Sequence, residues 1–204
     1  MQKQLSTKAR SWLVAGIVIL CLLLDQWLKI YIKLHFTLGE MVEVFPWFQI
    51  CFVENNGMAF GIEWFDKLFL TLFRFGVAGV LGYYLYRLTH SEVRVGYLVM
   101  IALVMAGALG NIIDCMFYGL MFSESTPWEV ATLFPEEGGY AGFFYGKVVD
   151  MFYFPLIRNA AGEVLFFRPV FNIADSCITV AVILVLLFYN KDLQTTLQQP
   201  KPAE

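Results

Sequence analysis

The sequence predicts an all-α integral membrane protein with four transmembrane helices and a small β-rich cap on the outer, periplasmic side. Three observations carry that expectation. Of the 204 residues, 59% are hydrophobic and 15% charged, with a mean hydropathy of +0.64; soluble domains hold about 45–50% apolar residues. Four apolar segments are long enough to cross a hydrocarbon core of about 30 Å, which takes close to 20 helical residues. Lysine and arginine gather at the segment ends that one compartment would share.

The first span covers about Trp12–Leu34. Lys3, Lys8 and Arg10 precede it, as in a secretory signal, but the run is too long, continues through Asp25 and Lys29, and lacks a small-residue cleavage site. It reads as a retained helix. The outer segment His35–Lys67 contains "FQICFVENNGMAFG", where alternation through Phe48, Ile50 and Phe52 predicts a strand and Pro46 and Asn56-Gly57 predict turns. The second and third spans, about Leu68–Leu88 and Val95–Phe117, are joined by a connection flanked by Arg87 and Arg94. A second outer segment, about Tyr118–Val170, includes "FPEEGGYAGFFYGK", a loop or hairpin insertion within residues 118–147. The fourth span, about Phe171–Tyr189, is followed by Lys191, so both termini are expected in the cytoplasm. Residues 1–204 then form a single membrane domain.

Several function classes are excluded. A net charge of −3 with scattered cations offers no surface for nucleic acid. Cys21, Cys51, Cys115 and Cys177 form no CxxC pair and have only His35 and His90 to join them, so no metal and no cofactor is expected. Cys115 and Cys177 read as small buried apolar residues. The sequence leaves oligomeric state open, with a monomer as the expectation.

The polar residues inside the apolar tracts are the functional signal. "NIID" at Asn111–Asp114 is nearly repeated by "NIAD" at Asn172–Asp175 on a helix running the opposite way, and residues three apart share a helix face. With about 1.5 Å of rise per residue, Asp114 lies ~29 Å above the inner end of the third span, Asp175 ~6 Å below the outer end of the fourth, and Asp25 ~20 Å up the first. Asp150, in "GKVVDMFYF", can reach the same level from the outer segment. Four acids converge on one leaflet. Asp25 and Lys29 are explained structurally as an i,i+4 ion pair, and Gly107 and Gly110 as close helix packing. Asp175 could cap the fourth helix, but Asn172 is at least as good a cap and leaves Asp175 inside the first turns, which favours a functional role.

"DQWLK" at Asp25–Lys29, "NNGMAFG" at Asn55–Gly61, "GALGNIID" at Gly107–Asp114, "VVDMFYF" at Val148–Phe154 and "FNIADS" at Phe171–Ser176 resemble, in this order, the motifs of the lipoprotein signal peptidase (signal peptidase II) family. The resemblance implies a bacterial inner-membrane aspartic endopeptidase that removes the signal peptide from diacylglyceryl-modified prolipoproteins just before the lipid-bearing Cys. It implies Asp150 and Asp175 as catalytic, Asn111, Asp114 and Asn172 as their support, and Asn55 and Gly57 as substrate-contacting. There are two departures. The family often has Arg directly after the aspartate of "GNIID", where this chain has Cys115, and the outer region between Asp114 and Asp150 is longer than in compact members.

The chemistry suits these residues independently. Hydrolysis without a Ser–His pair or a metal needs a water activated by one carboxylate and a carbonyl polarised by a second, protonated one. Two carboxyls about 3 Å apart cannot both ionise and share one proton. A membrane-embedded transporter would place its acids near the midplane, and a purely structural subunit would tolerate substitution of Asp150 and Asp175.

Overall fold

The computed structural model describes residues 5–56, 67–159, 164–166 and 169–198. Helix α1 covers Thr7–His35 and starts earlier than the apolar run, because the Ser6 side chain accepts the Ala9 amide at 3.3 Å and caps it. Strands β1 (Met41–Phe45) and β2 (Phe48–Asn55) follow, then α2 (Lys67–Thr89) and α3 (Val95–Ile113). Helix α3 continues through a π-helical turn, Asp114–Tyr118, into the short α4, Gly119–Met121, so the third apolar helix outruns its expected end. Strands β3 (Val148–Tyr153), β4 (Ile157–Arg158), β5 (Val164–Phe166) and β6 (Val170–Phe171) precede α5 (Ile173–Phe188) and α6 (Asn190–Gln198).

Among the described residues, three helices are long and apolar enough to cross a membrane: Thr7–His35, Lys67–Thr89 and Val95–Met121. The expected fourth span is shorter than the sequence indicated. Helix α5 has 16 residues, and it reaches membrane length only together with α6, which leaves it at 87°. The polar "NKDLQTTLQ" explains the bend. Leu193 turns back against the apolar core and Thr196 Oγ1 meets the Tyr84 hydroxyl at 2.6 Å.

The helices expose Leu20, Leu23 and Leu24 on α1, Leu72, Phe73 and Val80 on α2, and Ile183, Leu186 and Leu187 on α5. Soluble monomers rarely expose apolar patches beyond a few hundred Å²; these are lipid-facing sides. Helix α3 is the centre of the bundle and packs on α1, α2 and α5. A Cβ at Gly107 would come within 2.6 Å of the Ile178 side chain, so glycine is required for that approach, as expected of close packing through small residues. At one end Arg10 donates to the Ser91 and Val93 carbonyls and Arg94 pairs with Asp192, tying α1 and α6 to the connection between α2 and α3.

The opposite end carries an antiparallel sheet in the order β1-β2-β3-β6, with β4 and β5 as a separate ladder. The expected alternation in β2 is present, but its buried members are Gln49, Cys51 and Phe52, since an irregularity between Ile50 and Val53 resets the pairing with β3. On β3, Val149 and Met151 enter a core with Ile32, Phe52, Tyr118 and Phe122, which leaves Asp150 on the other face. Residues 122–147 are a loop with one isolated bridge, Phe122 to Leu133. The loop follows the end of α3: Ala141 N donates to Gly119 O at 2.9 Å and Gly146 N to Cys115 O at 2.9 Å. A π turn reassigns local carbonyls in this way and recurs at functional sites.

Candidate active site

Helix α5 is capped by Asn172, whose Oδ1 accepts the Asp175 amide at 2.9 Å, while Asp175 Oδ2 accepts the Asn172 amide at 3.4 Å. This capping box consumes the oxygen of the Asn172 side chain. Its Nδ2 must therefore face the other way, and it donates to Asp150 Oδ1 at 2.7 Å. A helix cap thus fixes which end of an amide meets the Asp150 carboxyl. Asn55 Nδ2, at the end of β2, donates to Asp150 Oδ2 at 3.2 Å.

Asn111 is oriented by similar logic. The ammonium of Lys29 can only donate, and it does so to Asn111 Oδ1 at 2.9 Å. Asn111 Nδ2 is left to donate to Asp175 Oδ1 at 2.8 Å. Lys29 gives its remaining donors to Asp25 at 2.9 Å and Asp114 at 2.8 Å, and is 0% exposed. The expected i,i+4 pair exists, but as part of a buried triad. Asp25 also accepts the Ala174 amide at 2.9 Å, joining α1 to the start of α5. Asp114 accepts the Val149 amide at 3.3 Å, tying α3 to the residue before Asp150.

Asp150 is 2% exposed, whereas Asp175 is half-buried. Burial first, and the charge of Asp175 second, push the Asp150 carboxyl up to about 7, against the opposing pull of the Asn55 and Asn172 amides and of Lys29. Asp175 lies in the first turn of α5. The pair is asymmetric: one carboxyl is deep and held close to neutrality, the other is open to an incoming molecule.

The structure brings Asp150, Asp175, Asn111, Asp114, Asn172, Asn55, Asp25 and Lys29 into one connected network. Gly57 lies outside the described residues. Where the family often has Arg, Cys115 Sγ receives Arg74 Nη1 of α2 at 3.0 Å, so a guanidinium reaches that position from a different helix. Among the described residues no cluster of His, Cys, Asp and Glu suits a metal ion, and all four cysteines are free.

Two groups of residues escape a reading of the sequence. Gln26 donates to Asp114 at 2.8 Å and accepts the Tyr118 hydroxyl at 3.2 Å. Lys33, Glu54 and Lys147 form a second buried charge cluster. A signal for the latter was available, because Asp25, Lys29 and Lys33 recur every four residues on one face of a helix that is otherwise apolar.

The sequence profile of the signal peptidase (SPase) II family matches residues 17–190. A protein named lipoprotein signal peptidase from Porphyromonas gingivalis is 45% identical, with 98% of this chain and 93% of that protein covered. One of the same name from Amoebophilus asiaticus is 31% identical over 93% of this chain and 80% of its own length. A solved structure described as a bacterial membrane enzyme superposes with a TM-score of 0.61 at 26% identity, covering 94% of each chain. The profile match over most of the chain and 45% identity along nearly its whole length show that this chain belongs to the signal peptidase II family.

Proposed function

We propose that this protein is a membrane aspartic endopeptidase that cleaves the signal peptide from diacylglyceryl-modified prolipoproteins, N-terminal to the lipid-bearing Cys, with Asp150 and Asp175 as its catalytic pair. The observation that carries the reading is that both carboxyls are held by asparagine amides whose orientation is fixed elsewhere, Asn172 by its cap and Asn111 by Lys29. Amides hold carboxyls in place without adding charge, so one proton remains shared between the two acids.

Asp150 carries that proton and donates it toward the scissile carbonyl oxygen. Asp175, the more open of the two, takes a proton from the attacking water. The tetrahedral intermediate collapses as Asp175 passes its new proton to the leaving nitrogen and Asp150 takes back the proton of the hydroxyl that was the carbonyl oxygen, which returns the pair to its starting state. Asn55 holds the Asp150 carboxyl directly from the end of β2. Asp114, Asp25 and Lys29 support the pair and do not react.

With the Asp150 carboxyl near 7, kcat/KM should fall as pH rises through about that value, because the pair then loses its shared proton. Rates with a lipidated prolipoprotein between about pH 5 and 9 test this. Activity still climbing at the alkaline end of that range would remove the proton from Asp150.

The membrane arrangement that suits this chemistry has four spans in a single domain, with α5 as the fourth, both termini in the cytoplasm and the sheet outside a bacterial inner membrane. Acyl chains of the substrate then stay in lipid while the scissile bond reaches the outer leaflet. Glu137 and Glu92 are both exposed, at the two opposite ends. A membrane-impermeant thiol reagent is expected to label Glu137→Cys in intact cells and Glu92→Cys only after the membrane is breached. Labelling in the reverse order would turn the site toward the cytoplasm and end the peptidase reading.

A further inference from the structure

The cap contains a buried charge cluster that the reaction itself does not use. Lys33, at the end of α1, pairs with Glu54 of β2, and Lys33 Nζ donates to Ser125 Oγ at 2.8 Å. Ser125 Oγ in turn donates to Glu54 Oε1 at 3.0 Å, and Lys147 Nζ reaches Glu54 Oε2 at 3.0 Å. The Lys33 ammonium stands over the rings of Phe122 at 5.4 Å and Tyr140 at 4.9 Å. Tyr140 also accepts the Lys147 amide on its hydroxyl at 2.7 Å. Apart from Lys33 and Glu54 themselves, these partners all come from residues 122–147 of the outer segment.

Burial works against a charge on Glu54, but the two ammonium groups outweigh it and hold its carboxyl below the usual carboxylate range. Glu54 is held at Oε1 by Lys33 and Ser125, with the Lys147 ammonium in ion-pair range of Oε2. Its position in the sheet gives that pinning a consequence. Glu54 pairs with Val149 and Val53 with Asp150, and the residue after Glu54 is Asn55, whose amide meets Asp150. Strand β2 ends at Asn55, so Glu54 is the charged anchor immediately before the amide that holds the catalytic carboxyl.

We propose that residues 122–147 are a positioning element for the catalytic carboxyl: through Ser125, Tyr140 and Lys147 they lock Glu54, and Glu54 holds Asn55 with its amide on Asp150. The inference rests on the peptidase reading above and assigns a task to the insertion within it. Glu54 and Lys147 act through Asn55 and do not touch substrate. Small displacements of a group that holds a reacting atom are expensive, about 10²-fold for 1 Å.

The test is a double-mutant cycle on cleavage of a lipidated prolipoprotein by the full-length protein in detergent. Glu54→Gln keeps the shape but removes the charge between the two lysines; it is expected to lower kcat about tenfold with KM within about twofold of the unsubstituted protein. In an Asn55→Ala background the same change should cost less than about twofold, because the residue it acts through is gone. Lys147→Met leaves the Lys33–Glu54 pair intact and serves as the milder probe should Glu54→Gln fail to fold, with about a threefold loss of kcat that again vanishes in Asn55→Ala. Equal losses in both backgrounds, or an effect on KM alone, would overturn the positioning role while leaving the peptidase reading standing. An inactive unsubstituted protein, or full activity in Asp150→Asn, would overturn both.

Discussion

Asp150→Asn and Asp175→Asn should each reduce prolipoprotein cleavage by about 10³-fold or more while leaving a folded, membrane-inserted protein, because an amide keeps the shape of the carboxyl but cannot exchange its proton. The hydrogen bonds predict that folding survives. In Asp150→Asn the one remaining side-chain oxygen keeps one of the two amide donors, Asn55 or Asn172, and the other is lost. In Asp175→Asn the side-chain oxygen can still accept the Asn111 amide, at a separation that is now 2.8 Å. Burial of Asp150 also raises its carboxyl toward neutrality, so a neutral amide there costs little in folding. Near-normal turnover by either variant, at equal membrane yield, would take that residue out of the pair. A dead but well-folded Asp114→Asn beside an active Asp150→Asn would reassign the pair to Asp114 and Asp175.

Lys29→Met should be the most destabilising single change in the bundle, lowering stability by about 3–5 kcal/mol as read by thermal unfolding in detergent. The ammonium is fully buried and gives one hydrogen bond each to Asp25, Asp114 and Asn111. Removing it leaves two carboxylates facing each other without a cation. It also releases Asn111, whose amide orientation on Asp175 depends on that donor, so activity should fall further than the loss of folded protein explains. Asp25→Asn should be milder, since an amide oxygen can still accept the Ala174 amide now at 2.9 Å. An unchanged unfolding temperature for Lys29→Met would show that the ammonium is not the hub of the network.

The parts of this architecture that are legible in the sequence are those written in local patterns. The apolar tracts announce the helices, and the near repeat of "NIID" and "NIAD" announces two polar faces at one depth. The capping role of Asn172 is also legible, because Asn at the head of an apolar run with an acid three residues on is a helix-start pattern. What stays hidden depends on long-range register. Gln26 is polar next to Asp25, but only the approach of α3 reveals that it serves Asp114. The cage around Lys33 is assembled from residues up to 114 positions apart, counting from Lys33 to Lys147, and a loop without periodicity carries no signal of where it folds back. The true end of the third apolar helix is hidden for a related reason: its π turn is stabilised by hydrogen bonds from Phe144 and Gly146, which lie in that same loop.

The most direct measurement is mass spectrometry of the products when the purified, detergent-solubilised protein meets a diacylglyceryl-modified prolipoprotein, with the unlipidated precursor and the Asp150→Asn and Asp175→Asn variants alongside. The account predicts a single new N-terminus at the lipid-bearing Cys, formed by the unsubstituted protein from the lipidated precursor and by neither variant. No cleavage by the unsubstituted protein, or the same product from both variants, would contradict it.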